Sequence, residues 1–326
     1  MGILYETACF LGSASIYSKH NTIEKVDFSK TLTLGRQQFF INHYYIKSLL
    51  KKHFNENFIK ENEKSLYTFS KSCTSNTALF SEPFFITLGA KIIDSLDISD
   101  FENATIIHDI STPIPNSLKN KYSLVFDGGL LEHVYDFANA IKNTMDLVAL
   151  GGHLIITAPG NNWFGHGFYQ FSPELFYSLL IEENGFNNTK VYFKGGRNWY
   201  LVKNPKEIRQ RTEFSPKWSN LTLMVISKKV GEVPNKVNLF QSDYMLMWEK
   251  HNDASSKIIT ISKITTNTSK YTQKYSKFFI NCLKVILPTS IKLFLYRFYR
   301  ETVHIGILLR LESRKQFIKF FVKITI

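Results

Sequence analysis

Short continuous apolar runs and helically spaced apolar stripes alternate along most of this 326-residue chain. Lys30 to Leu34 (KTLTL) reads as a first strand, closed by Gly35. It is followed by FFINHYYIKSLLKKHF, where Ile46, Leu49, Leu50 and Phe54 recur at helical spacing. Residues 55–78 are rich in Asn, Ser, Lys and Thr and lack periodicity, which predicts a surface insertion. Ser81, Glu82 and Pro83 mark a helix start and Gly89 its stop, and KIIDSLDIS predicts a second strand ending at Asp97. Ala104 to Ile107 is a third, ended by His108, Asp109 and the proline-marked turn STPIP.

The segment from Tyr122 to Pro159 carries the strongest pattern. Leu124, Val125 and Phe126 suit a strand buried on both faces, and Asp127, Gly128 and Gly129 end it where parallel sheets place ligands. Ala138, Ile141, Met145 and Val148 share one helical face, and Gly151 and Gly152 are expected to terminate that helix. His153 to Ala158 returns as a fifth strand. Ser172 and Pro173 start another helix, Asn184 and Gly185 close it, and Val191 to Phe193 and Leu221 to Ile226 supply late strands. Such alternation predicts an α/β, doubly wound, Rossmann-like fold with a mainly parallel sheet and a late antiparallel strand. The expected boundaries are an N-terminal segment 1–29, the Rossmann-like domain 30–230 and a basic, mostly helical extension 231–326.

Composition adds little until charge is located. With 44% hydrophobic residues the chain can bury a domain core. Cys9, Cys73 and Cys282 form no CxxC or Cys/His cluster, which fits a reducing cytoplasm and argues against a disulfide framework. The opening MGILYETACFLGS lacks the basic start of an export signal, and Glu6 stands where an acylation motif needs Ser or Thr. From Lys250 onward, fifteen Lys and Arg face only Asp253, Glu301 and Glu312, so +12 of the net +13 lies in the last quarter. Residues 276–326 interleave apolar clusters with these cations, without an uncharged run long enough to span a bilayer. Amphipathic helices peripheral to an anionic membrane at its inner face are expected, with a packed helical cap as the competing reading. Nucleic acid is disfavoured, because the rest of the chain lacks a basic excess.

LLEHV followed by a helix and LGGHLIITAP resembles the class I S-adenosylmethionine-dependent methyltransferases, particularly methyltransferase type 11, over roughly residues 30–230. The resemblance implies S-adenosylmethionine as cofactor. It also implies that Asp97 accepts from the ribose hydroxyls, that Asp109 accepts from the adenine amino group, and that Asp127, Gly128 and Gly129 line the gap beside the sulfonium. At the first loop Gly35 is followed by Arg36, Gln37 and Gln38 in place of further glycines. Arg36 is therefore expected to pair with the cofactor carboxylate.

Methylation of a hydroxyl also needs a base. His166, in the aromatic and polar loop PGNNWFGHGFYQFSPE, is the first candidate and His133 the second, although Glu132 and His133 could equally orient the following helix. His153 opens a buried strand and reads as structural. Asn161, Asn162 and Gln170 are expected to orient a polar acceptor, a small molecule or glycan precursor. The motifs HExxH and DxDxDG are absent, so no metal is expected from local spacing, with only a non-local site left open, and no GxSxG elbow supports serine catalysis. The expected activity is methyl transfer to such an acceptor. The alternative is a non-catalytic module with a degenerate cofactor loop, tethered by its tail. A nucleotide-sugar or dinucleotide enzyme is disfavoured by the missing GxGxxG.

Overall fold

The computed structural model describes residues 2–15, 23–41, 80–195, 198–212, 220–237, 239–256 and 321–324. The helix expected after Gly35, the insertion 55–78 and nearly all of residues 276–326 lie outside this range. In chain order the elements are β1 (Gly2–Ile3), α1 (Tyr5–Ser15), β2 (Lys30–Leu34), β3 (Gln38–Phe39), α2 (Glu82–Thr87), β4 (Ile92–Asp97), β5 (Ile106–Ile107) and β6 (Tyr122–Asp127). There follow α3 (Phe137–Leu147), β7 (Val148–Asn161), α4 (Pro173–Leu179), β8 (Phe186–Gly195), β9 (Asn198–Val202), α5 (Pro205–Ile208), β10 (Leu221–Lys229), α6 (Ser242–Ser256) and β11 (Phe321–Ile324).

Nine strands form one sheet in the order β11-β9-β8-β10-β7-β6-β2-β4-β5. Strands β5, β4, β2, β6 and β7 pair in parallel, while β10 runs antiparallel to both β7 and β8. This is the Rossmann-like, mainly parallel sheet with a late antiparallel strand that the sequence pattern predicts. The pleat explains why the central strands read as continuous apolar runs. Leu124, Phe126, Ile155, Met224 and Ile226 join one core cluster with Phe10, Phe84 and Phe85. Their alternates Val125, Leu154, Ile156, Leu223 and Val225 are buried outside that cluster, on the other face.

The chain divides into two compact units, Met1–Tyr244 with Phe321–Ile326, and Met245–Phe320. The first includes the N-terminal residues. Helix α1 is buried from Thr7 to Ala14, and Phe10 meets Tyr192 edge-on at 5.4 Å and Trp199 at 6.1 Å. Gly2 and Ile3 pair with Gln38 and Phe39 of β3.

Two sequence expectations change. Gly151 and Gly152 do not stop a helix; they lie inside β7, where the register against β6 shifts between Tyr122 and Leu124. A Cβ on Gly152 would stand 2.9 Å from the Ser123 carbonyl, so the bulge needs glycine for its close backbone approach. Within the extension expected to be helical, Phe321–Ile324 is instead a strand pairing with β9.

Candidate active site

The parallel strands bring their carboxyl ends to one rim. Register pairs Leu34 with both Leu96 and Asp127, and Asp97 with Ile107, so Gly35, Asp97, Asp109 and the Asp127 turn share this edge. Asp97 is half-buried, and its carboxylate accepts from the Ser99 N–H at 3.5 Å. Asp109 accepts from Ser111 N–H at 2.9 Å and from the Ser111 hydroxyl at 2.7 Å, and these bonds hold its pKa below the usual carboxylate value. Helix α3 positions this loop, with Asn143 donating to the carbonyls of Ile110 and Thr112 at 2.8 and 2.7 Å.

Arg36 does not stand free for a ligand carboxylate. Its Nε donates to Glu82 at 2.6 Å, Nη1 donates to the Glu102 carbonyl at 2.8 Å, and the guanidinium lies 3.8 Å from the Phe80 ring centroid. A half-buried guanidinium takes the nearest carboxylate, and Glu82 opens α2 beside it. Gln37 fills the turn instead. It is buried, donates from Nε2 to the Leu34 carbonyl at 2.6 Å, and leaves Oε1 without a donor against Gly128, where a Cβ would meet it at 2.2 Å.

Asp127 is fully buried. Its Oδ1 accepts from the Gly129 and Leu130 N–H groups at 3.2 and 2.7 Å, which folds the turn into a single 3-10 turn, Leu131–His133. Among the described residues its Oδ2 has no hydrogen-bond partner. Burial, and then the nearby Glu132 charge, pushes the Asp127 pKa up. Glu132 is 2% exposed with Oε2 unpartnered, and burial raises its pKa as well. For His133 burial is the larger cause and the His166 charge the smaller, and both lower the pKa.

A cleft of about 500 Å3 opens on the β6, β7 and β10 side of the rim. Gly128, Gly129, Glu132, His133, Trp163 and His166 line it, with Phe40, Lys194 and others. The two candidate histidines therefore come together: their ring centroids are 5.0 Å apart, and His166 Nε2 is 3.4 Å from Glu132 Oε1. Asp97, Asp109, Asp127, Gly35 and Arg36 are not among the lining residues. Nor are Asn161, Asn162 and Gln170. Gln170 Oε1 accepts from the Trp163 N–H at 2.9 Å and Asn161 Oδ1 from the Asn162 N–H at 2.8 Å, so these side chains brace the loop. His153 is buried on β7, with Nε2 3.8 Å from Glu24 Oε2, and does not line the cleft.

Sequence reasoning missed two features of the site. Residues Gly2, Leu4, Glu6 and Thr7 form part of the wall, and the buried Glu132 faces His166 at 3.4 Å with His133 close by. The apolar entry LL before Glu132 was the available signal for burial.

The donor set suits S-adenosylmethionine by chemistry. Asp97 and Asp109 offer acceptors at the rim, Gln37 Oε1 and Asp127 Oδ2 are buried acceptors lacking donors, and Gly35 and Gly129 hold φ of 68° and 105° that leave the backbone bare.

No family model matches the chain, and no curated protein matches it. Solved structures do match. The citrinin polyketide synthase CMeT domain shares 9% identity over 63% of this chain, at a TM-score of 0.31. The 1,6-didemethyltoxoflavin-N1-methyltransferase of Burkholderia thailandensis, bound to S-adenosylhomocysteine, shares 13% over 45%, at 0.29. The branched-chain polyamine synthase of Thermus thermophilus, in complex with 5'-methylthioadenosine, shares 10% over 66%, at 0.33. The matches cover 47%, 65% and 54% of those chains respectively. At TM-scores this low, neither the fold nor the site described above rests on them.

Proposed function

We propose that this protein is an S-adenosylmethionine-dependent methyltransferase acting on a hydroxyl of a small molecule or glycan precursor. One observation carries the reading: the glycine turn that ends β6 opens directly onto a cleft where Glu132, His133 and His166 converge. When bound, S-adenosylmethionine supplies an electrophilic methyl group on its sulfonium. Asp97 and Asp109 would hold the adenosine end at the rim, and the backbone of Gly128 and Gly129, which lines the cleft, would lie beside the sulfonium end.

The acceptor would enter the cleft, where Phe40 and Trp163 supply flat apolar surface and His166 and His133 face its hydroxyl. Holding nucleophile and methyl carbon in line supplies much of the rate, and a neighbouring imidazole receives the hydroxyl proton. The basic tail, and with it peripheral contact with an anionic membrane in the cytoplasm, remains part of the proposal. No helix among the described residues is long and apolar enough to cross a membrane.

The test is incubation of the full chain with methyl-labelled S-adenosylmethionine and a panel of hydroxyl acceptors including glycan precursors. Label transfer that His166→Ala lowers by about a hundredfold or more supports the reading. Label transfer unchanged in both His166→Ala and His133→Ala would remove the assigned bases.

A further inference from the structure

We propose that Glu132, His133 and His166 form a binding site for a divalent transition-metal ion such as zinc, cobalt or manganese, open to the cleft. One ligand atom from each residue lies within 4.8 Å of the other two. One carboxylate with two imidazoles suits borderline and hard divalent ions, and three protein ligands with a free position distinguish a reactive site from a closed structural one. In a zinc site each ligand atom stands about 2.0–2.2 Å from the metal, hence roughly 3.4 Å from its neighbours. From a separation of at most 4.8 Å, the two exposed imidazoles need close by no more than about 1.4 Å to reach that spacing.

Glu132 itself calls for a cation. Its side chain is 3% exposed, and among the described residues neither its Oε2 nor the neighbouring Asp127 Oδ2 has a hydrogen-bond partner. Unpartnered buried carboxylate oxygens are costly unless a positive charge or donor satisfies them. Lys194, the one lysine or arginine among the cleft-lining residues, is paired with Glu6 at 2.5 Å.

The cluster is also scaffolded. The N–H groups of Phe168 and Tyr169 donate to the Glu132 carbonyl at 2.7 and 3.3 Å, which ties the loop carrying His166 to the residue it faces. Gly167, at φ 68°, permits this approach, since a Cβ there would stand 2.8 Å from that carbonyl. Trp163 packs on His166 with ring centroids 5.1 Å apart and is anchored by its indole N–H to the Leu221 carbonyl at 3.0 Å. A loop fastened in this way holds its histidine ready for a ligand role.

Ion binding stands on this geometry alone; the role given to the ion rests on the methyltransferase reading. There the ion would take the acceptor hydroxyl oxygen as its open-position ligand, orient it and lower its proton affinity; with His133 and His166 engaged as ligands instead of bases, the proton released as the oxygen takes the methyl group would pass to solvent through the open cleft.

The experiment is titration of cobalt(II) into the full, untagged, chelator-treated chain, read by visible absorption and by displacement with zinc(II). One bound equivalent is expected. His133→Ala and His166→Ala, each checked for folding by circular dichroism, should weaken it by about tenfold or more. Because Glu132 is buried, Glu132→Gln serves as the milder third variant and should also weaken it. Absence of cobalt bands in the parent chain, or equal affinity in His166→Ala, overturns the site. Cobalt binding without any binding of S-adenosylhomocysteine supports the site and removes only its proposed role.

Discussion

Glu132 Oε1 and His166 Nε2 lie 3.4 Å apart, although one belongs to the turn after β6 and the other to the loop after β7. Two backbone hydrogen bonds from Phe168 and Tyr169 to the Glu132 carbonyl hold these segments together. The site is therefore part of the fold's own hydrogen bonding, which makes its integrity measurable through stability as well as through activity.

Gly167→Ala tests that coupling. The position has φ 68° and no room for a Cβ against the Glu132 carbonyl. The variant should lose about 1–3 kcal/mol of stability and displace His166. Thermal unfolding combined with cobalt affinity should show both losses together; a stable variant with intact metal affinity would show that the loop is not fastened here.

Asp127 serves the turn through Oδ1, while Oδ2 is buried without a hydrogen-bond partner among the described residues. Asp127→Ala removes acceptors from Gly129 and Leu130 and should cost about 2–3 kcal/mol. Asp127→Asn keeps one acceptor and offers an N–H2 where Oδ2 had no partner, so its stability should stay within about 1 kcal/mol of the parent. Chemical denaturation distinguishes the two. Equal losses would mean that the carboxylate charge itself is needed.

Arg36→Ala should act on local packing. The guanidinium is shared between Glu82, the Glu102 carbonyl and the Phe80 ring, and the ion pair is partly solvated, so about 1 kcal/mol is expected. Affinity for S-adenosylhomocysteine should be unchanged by calorimetry. A tenfold loss with unchanged melting temperature would restore Arg36 as a cofactor ligand.

Lys229 gives a pH signature. Its side chain is buried, donating to Asn120 Oδ1 at 2.7 Å and to the Met145 carbonyl at 3.0 Å, and burial lowers its pKa. Between the lowered folded pKa and the unfolded value near 10.4 the unfolded chain binds more protons, so stability rises with pH. Urea unfolding should therefore show the parent gaining on Lys229→Met as pH rises through that window. A gap that widens against the parent would contradict the sign.

Much of the sheet was legible because strands such as YSLVFD are buried on both faces and read as unbroken apolar runs. Asp97 and Asp109 could be placed because Asp97 ends the short strand β4 and Asp109 follows the short strand β5 ahead of a proline-marked turn. Helix α1 was not legible, since a helix buried nearly all round carries no polar stripe to set its period. Strand β9 went unread between better-marked neighbours. The pairing of Arg36 with Glu82 was not legible because the two are distant in sequence and neighbours in space. For the same reason local spacing concealed the Glu132, His133 and His166 cluster: one of its three members comes from another loop.

Calorimetric titration of the full chain with S-adenosylhomocysteine tests the methyltransferase reading most directly. Saturable binding at a single site, weakened about tenfold or more by Asp97→Ala through loss of its charged hydrogen bonds, is the predicted result. No heat and no competition with S-adenosylmethionine would contradict it and leave a non-catalytic Rossmann-like module.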